Sequence, residues 1–455
     1  MYALCIFEWN LLRCSDIHSG RKWVRWSFYY QNGRGDEAAE QLRDTKVHAE
    51  FESAQIQEAV EGAIGLKVAV YSGEIPSTTF IERLIIGLAE SGVKVVLHGK
   101  KRGAVRYGSK NITKIGFRGP LGQLWLVFKF AFLFVMVKPG TFQALIDRCP
   151  AGVLSWGFLK WFAKVGPIVW HKPDLFHLQW TKGVEEWVFL RDFGIRFVVS
   201  LRGSQINYSP LADECLAEVY RHTFPLVHGF HGVSKCVCIA AAAYGAEPAR
   251  CRVVYSGLEL SSLPKIEPKK GKNDICRILS VGRPHWVKGY HHALDAMRLL
   301  KDQEVPFHYV IVGGSSEELI FQVSDLGLEE SVSLEGSMDF DGVIPLISES
   351  DILLLSSVEE GVPNVILEAM ALGTVVVSTD CGAVREIITD GENGFLVPVR
   401  DPRAIADMVK AVAELCECEL DRVRMRARTT IELQHDKRKM VDDMIDFYQF
   451  VLKSR

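Results

Sequence analysis

The 455-residue chain lacks a surplus of charge of either sign: 53 Lys and Arg face 56 Asp and Glu, a formal net charge of −3. That balance excludes the broad basic field that nucleic acids require, and it leaves no acidic tract, so a site for an anionic ligand has to be local. Nucleic acid is not expected as a partner. Metal-ligand spacing is also missing. The 11 cysteines are scattered, and the closest pairs, Cys236/Cys238 and Cys416/Cys418, have a single residue between them, too few for a zinc knuckle. They read as reduced thiols of a cytoplasmic chain, and no metal site is expected. Nor is a secretory leader expected: Met1 to Phe7 hold no basic residue, and Glu8, Arg13, Asp16 and Arg21 break up the apolar run that would follow.

What the chain has in quantity is apolar sequence, 48% of its residues, enough for more than one core. Residues 1–65 carry Trp9, Trp23 and Trp26 among mixed charges without a sustained period. They read as an N-terminal extension without assigned chemistry, whether a disordered arm, a partly helical lid around Glu37 to Ala63, or sequence upstream of the natural start. From Lys67 the pattern becomes strand, turn, helix, strand. Lys67 to Tyr71 is followed by a loop from Ser72 to Thr78, then by apolar Phe80, Ile81, Leu84, Ile85 and Leu88 at helical spacing, then by Val93 to Leu97. Further strands at Leu175 to Leu178, Phe197 to Leu201 and Arg252 to Tyr255 imply a parallel sheet covered on both faces, over residues 66–263.

The stretch 264–274, PKIEPKKGKND, has no periodic apolar residue and reads as a linker. After it, residues 275–436 repeat the alternation more regularly. Strands are expected at Arg277 to Val281, His308 to Val312, Ile352 to Leu355 and Thr374 to Ser378, with helices at Tyr290 to Leu300, Val365 to Ala371 and Ala404 to Leu415. The final segment 437–455 is expected to rejoin the first domain as a helix. The fold class is therefore α/β, with two doubly wound Rossmann-like domains facing a cleft.

Leu124 to Val137, LWLVFKFAFLFVMV, is apolar at every position but Lys129. At that length it falls short of a membrane span. Two readings remain open: a buried helix, or a face lying on a membrane with help from Arg118, Lys129 and Lys138.

The chemistry gathers in the second domain. Glu359-Glu360-Gly361-Val362-Pro363-Asn364-Val365-Ile366-Leu367-Glu368 follows a strand end, where open parallel sheets bind ligands. Gly361 permits close backbone approach, and the helix start after Pro363 offers free N–H groups to an anion. Glu368 could accept hydrogen bonds from two vicinal ribose hydroxyls, and Glu360 from a sugar, although two such glutamates also arise as helix-start and solvated-face residues. Val281-Gly282-Arg283-Pro284-His285-Trp286-Val287-Lys288-Gly289 brings two cations to the same edge, able to stabilise the charge of a departing diphosphate. Surface exposure alone would account for Lys288 more readily than for Arg283. Turns at Gly313-Gly314, Gly336-Ser337 and Cys381-Gly382-Ala383 complete the edge.

Together these motifs, with GVSKCVCIAAAAYG, GAVREII and DGENGFLV, closely resemble glycosyltransferase family 4, of GT-B fold, from about Lys67 onward. The resemblance implies Arg283, Lys288, Gly361 and Gly336 on the donor, Glu368 at the ribose, and Glu360 with Arg202 as catalytic residues. It implies a retaining, metal-independent transferase without cofactor, moving a hexose from a nucleotide diphosphate sugar to a glycan or lipid-linked acceptor in polysaccharide biosynthesis. The first domain would hold the acceptor. Many relatives have a glycine pair after the first strand and a histidine after the strand matching Phe197 to Leu201. This chain has Ser72-Gly73-Glu74 and Leu201-Arg202-Gly203-Ser204-Gln205, similar to an exopolysaccharide branch in which an aspartate often stands at Gln205. A phosphorylase or epimerase on the same fold, or a non-catalytic sugar-nucleotide-binding or membrane-scaffolding protein, are the alternatives.

Overall fold

The computed structural model of the protein describes residues 65–454 except 103–106, 151, 153–154 and 265–274. The extension at 1–65 and the linker at 264–274 thus lie almost wholly outside the described residues.

The apolar runs form two parallel sheets. The first contains β1 (Lys67–Ile75), β2 (Lys94–Lys101), β3 (Ile112–Phe117), β4 (Leu175–Leu178), β5 (Arg196–Leu201), β6 (Gly229–Gly232) and β7 (Cys251–Val253), in the order β3-β2-β1-β4-β5-β6-β7. The second contains β8 (Cys276–Val281), β9 (Phe307–Val312), β10 (Val332–Glu335), β11 (Ile352–Leu355), β12 (Val375–Thr379) and β13 (Phe395–Val397), in the order β10-β9-β8-β11-β12-β13. Every residue of β11 and β12 is buried, because helices cover both faces, which is why these strands are continuous apolar runs rather than alternating ones. The strand order reverses between β1 and β4 and between β8 and β11, leaving a crevice at the carboxyl ends of each sheet. β1 continues to Ile75 through a register shift between Tyr71 and Gly73, so residues first read as loop are strand.

Helix Lys437–Lys453 packs on the first sheet, not the second, burying Met440, Val441, Met444, Phe447 and Tyr448 with Val68, Val70 and Leu84. Each large apolar side chain buried there contributes about 1.5–3 kcal/mol. Gly87, in helix Thr79–Glu90, permits the approach: a Cβ at this position would collide with Val441. The chain thus crosses between domains twice, and the crossings are tied together. Leu258 N donates to the His435 carbonyl at 2.8 Å and Lys437 N to the Leu258 carbonyl at 2.9 Å.

The apolar segment is longer than its composition suggested. It forms helix Gly119–Val137, whose 19 residues are long and apolar enough to cross a membrane by length and composition. Neither a fully buried helix nor a free one is observed. Leu126, Val127, Phe130 and Phe134 are buried in the first domain, whereas Leu121, Trp125, Phe128, Phe132, Val135 and Met136 are exposed. The reading of all cysteines as reduced is also corrected. Cys416 and Cys418 form a disulfide at the start of helix Glu417–Gln434, their Cα atoms 5.4 Å apart, while Cys149, Cys215, Cys236, Cys238, Cys251 and Cys381 are outside any disulfide.

Candidate active site

The turns at the carboxyl edge of the second sheet interlock through glycines. Gly289 has φ +61°, and a side chain there would strike the Ser356 carbonyl; Ser356 Oγ in turn donates to the Lys288 carbonyl at 2.9 Å. Val358 N donates to the Val287 carbonyl at 2.7 Å, so the loop after β8 and the loop after β11 are held as one unit. Gly382, at φ +52°, seats the 381–383 turn against the Glu360 backbone, and Ala383 N donates to the Glu360 carbonyl at 3.2 Å. Glu360 is therefore fixed at its backbone as well as its carboxylate. Lys288 Nζ lies 2.7 Å from Glu360 Oε1, and Ser357 Oγ donates to the same oxygen at 2.8 Å.

This pair borders a cavity of about 480 Å³ between the two domains. Arg283, Lys288, Glu360 and Gly361 line it from the second domain, and Phe80, Trp180, Arg202 and Tyr208 from the first. The domains meet backbone to backbone at its floor. A Cβ on Gly203 would lie 2.6 Å from Gly361 N, so Gly203 cannot carry a side chain without parting the cleft, and one on Gly361 would press on Gly203 at 3.0 Å. Glu386 fastens the contact nearby, accepting from Lys235 N and Cys236 N, each at 2.8 Å, and from Tyr255 OH at 2.9 Å. Its carboxylate thereby satisfies the first two N–H groups of helix Lys235–Ala242, while Ser234 Oγ accepts from the third.

Arg202 lines the cavity between two rings, 4.4 Å from the Phe80 centroid and 5.4 Å from that of Trp180. Its Nε and Nη2 donate to the Gln179 carbonyl at 3.0 Å and to Gln179 Oε1 at 2.9 Å. Burial lowers its pKa to about 9, which still leaves it a cation at neutral pH. Gln205 is turned inward: its Oε1 accepts from Thr181 N at 2.7 Å, Thr181 Oγ1 at 2.8 Å and Lys182 N at 3.2 Å.

Of the residues singled out in the sequence, Arg202, Arg283, Lys288, Glu360 and Gly361 share the cavity wall, whereas Glu368 and Gly336 are absent from it. Glu368, in helix Asn364–Leu372, meets Arg83 of the first domain at 3.6 Å. Burial raises its carboxyl pKa to about 7, against the pull of the Arg83 cation. Arg83 also lies 5.0 Å from the Phe340 ring centroid, and no sequence motif marked it, since it sits in a helix read only for its apolar face. The Gly336 carbonyl accepts from Gly313 N at 3.2 Å, and open space surrounds its Cα. Sequence reasoning also passed over Glu359, which accepts from Asn207 Nδ2 at 2.6 Å across the domains and whose carboxyl pKa is raised by burial. The Glu359-Glu360 doublet was the available signal.

Residues 276–414 match the family model described as glycosyl transferases group 1. By this match the second domain is similar to group 1 glycosyltransferases. WcaL, named for colanic acid biosynthesis in Escherichia coli K12, is 36% identical over 182 residues, which are 38% of this chain and 44% of that protein. The amylovoran biosynthesis glycosyltransferase AmsK of Erwinia amylovora is 30% identical over 203 residues, 43% of this chain and 49% of AmsK. The chain thus spans about half the length of the curated relatives it matches. Among solved structures, Anabaena Alr3699/HepE in complex with UDP and glucose superposes with a TM-score of 0.62 at 17% identity, over 85% of this chain and 100% of that one. A glycosyltransferase from Rickettsia africae gives a TM-score of 0.62 at 16% identity, over 86% and 99%. Together with the two parallel sheets, these establish the GT-B fold.

Proposed function

We propose that the protein is a retaining glycosyltransferase that moves a hexose from a nucleotide diphosphate sugar to a glycan or lipid-linked acceptor in polysaccharide biosynthesis. The observation that carries the reading is the Lys288–Glu360 pair on the wall of a cleft that Arg283 also lines, at the carboxyl edge of a domain similar to group 1 glycosyltransferases. Arg283 and Lys288 bind the diphosphate and stabilise the negative charge that grows on it as the glycosidic bond breaks, which is the work a divalent cation does elsewhere. Glu360 then turns to the hydroxyls of the transferred sugar, released from Lys288 as the phosphate takes over that cation. Glu368 holds the ribose once Arg83 gives way. HepE, of the same fold, was crystallised with UDP-glucose, and WcaL and AmsK are named for colanic acid and amylovoran biosynthesis. The test is release of nucleoside diphosphate from uridine, guanosine and adenosine diphosphate hexoses, in chelator, with and without acceptor. One of the three should turn over in chelator, and turnover only after magnesium or manganese is added would contradict the metal-independent reading.

The exposed apolar face of helix Gly119–Val137 favours a cytoplasmic protein resting on a membrane surface, where a lipid-linked acceptor presents its sugar. Lys129 sits 5.0 Å from the Trp125 ring centroid, and Lys138 is 4.8 Å from that of Trp170, so cations flank the face. Because Lys138 Nζ also donates to the Trp170 carbonyl at 3.2 Å, the cleaner variant is Phe128→Ser with Phe132→Ser, which touches only exposed residues. Wild type should co-sediment with anionic vesicles at low salt and the double variant should not; wild type left in the supernatant would point to a soluble acceptor.

A further inference from the structure

The loop that carries the two donor cations also carries two aromatic side chains that those cations do not explain. His285 lines the cavity and caps the short turn Trp286–Lys288, while Trp286 stands outside the cavity wall with 55% of its surface exposed. Exposure of a single aromatic needs no ligand to explain it, but Trp286 adjoins the cavity-lining His285, their ring centroids 5.7 Å apart. From the opposite domain Tyr208, at the end of helix Gly203–Asn207, approaches both: its ring centroid is 6.5 Å from that of His285, nearly parallel at 29°, and 5.5 Å from that of Trp286. Aromatic surface therefore begins inside the cavity, at Tyr208 and His285, and continues out of it at Trp286. On the inner side Asn364 lines the cavity, and its Oδ1 is buried without a protein partner.

We propose that Tyr208, His285 and Trp286 form an acceptor subsite that takes a pyranose ring by stacking, so that the acceptor presents a sugar rather than a bare lipid alcohol or a small polyol. This rests on the glycosyltransferase reading and deepens it. A pyranose has one face of C–H groups, weakly positive, which suits the negative face of an indole or phenol, while its rim of hydroxyls needs polar acceptors of the kind Asn364 and Glu359 offer. The donor's own hexose has the same chemistry, but it belongs beside Glu360. An aromatic surface that leaves the cavity fits a ring further out, on a saccharide longer than one unit. Because Tyr208 comes from the first domain and Trp286 from the second, the subsite is complete only when the cleft holds its present width.

The test uses full-length protein saturated with nucleoside diphosphate and a panel of methyl hexopyranosides and their disaccharides, with glycerol and inositol as controls, read by saturation-transfer NMR. At least one pyranoside should receive saturation on the C–H groups of one ring face. Trp286→Ala should weaken that signal at least fivefold and Trp286→Phe should restore most of it. Nucleoside diphosphate affinity and acceptor-free hydrolysis of the nucleotide sugar should stay within twofold of wild type, which separates acceptor from donor hexose. A pyranoside signal unchanged in Trp286→Ala, equal binding of glycerol, or a raised KM for nucleotide sugar hydrolysis in the variant would overturn the assignment. Failure of wild type to bind any nucleoside diphosphate would instead remove the transferase reading, and it is recorded separately by calorimetry.

Discussion

On the first-domain side of the cleft Arg202 lines the cavity held by Gln179 between two rings, and Gln205, which is not part of the cavity wall, accepts from the backbone and hydroxyl of the 181–182 loop. On the second-domain wall Arg283 is exposed, and Lys288 and Glu360 are paired with each other across the lip of the cavity, a pair that an entering anion can split. One wall is a fixed surface whose charge is part of the fold. The other keeps its charges at the cavity boundary. The same residue types therefore carry different roles, and Arg202 and Arg283 should respond differently to the same substitution.

The largest effect expected is at Glu360. Glu360→Gln should lower turnover by about 10²-fold or more while the melting temperature stays close to wild type, because the carboxylate borders the cavity and the core does not depend on it. Unchanged turnover would remove Glu360 from the second wall's chemistry. Next is Arg283→Ala, expected to weaken nucleoside diphosphate binding by roughly 10-fold or more, the worth of one charge-assisted contact, again without a stability loss. Calorimetric titration showing wild-type affinity would break the contrast between the walls. Arg202→Ala should do the reverse, costing about 1–3 kcal/mol of stability by leaving Gln179 without its partners, with a smaller effect on nucleoside diphosphate affinity. If it left stability intact and abolished only activity, Arg202 would belong with the exposed cations.

The effect spread most thinly, over a range of pH rather than on one substitution, comes from acid. His177 Nδ1 pairs with Tyr448 OH at 2.7 Å and its Nε2 with Ser200 Oγ at 2.8 Å, and the same hydroxyl pairs with His231 Nδ1 at 2.8 Å. Burial holds both histidines neutral, His177 well below 6.5 and His231 at about 3. The unfolded chain binds protons on both below pH 6.5 and the folded one does not, so stability rises with pH through this range and is lost on acidification. The slope is at most about 1.4 kcal/mol per pH unit for each histidine. Melting curves from pH 7.5 to 4.5 should show the fall begin near 6.5, and a flat profile would contradict the buried network. Because the network joins the first sheet to helix Lys437–Lys453, acid should loosen the first domain before the second.

Much of the cleft was legible because chemistry followed strand ends. Once Val281 and Leu355 are recognised as strand termini, the glycines, cations and carboxylates just after them must sit at one edge of a parallel sheet, and Arg283, Lys288, Glu360 and Gly361 do. Short or glycine-rich strands were harder to see. Gly229–Gly232 offers four residues and two glycines, too little for a period, although it is a buried strand between β5 and β7. The two faces of helix Gly119–Val137 were not separable either, because an all-apolar helix has no polar stripe to show which side is covered.

The order of apolar runs and turns by itself determined that the chain makes two parallel α/β domains and that Arg283, Lys288 and Glu360 lie at the edge of the second, since strand period, helix period and glycine turns are local properties. Only the tertiary structure decided which charges are paired across the cleft. Arg83 with Glu368, Asn207 with Glu359, Glu386 with the 235–242 helix and Tyr208 with Trp286 join residues far apart in sequence. Such pairings depend on how closely two domains approach, and that distance is set by Gly203 against Gly361 and by a C-terminal helix docked on the first domain, not by any local pattern.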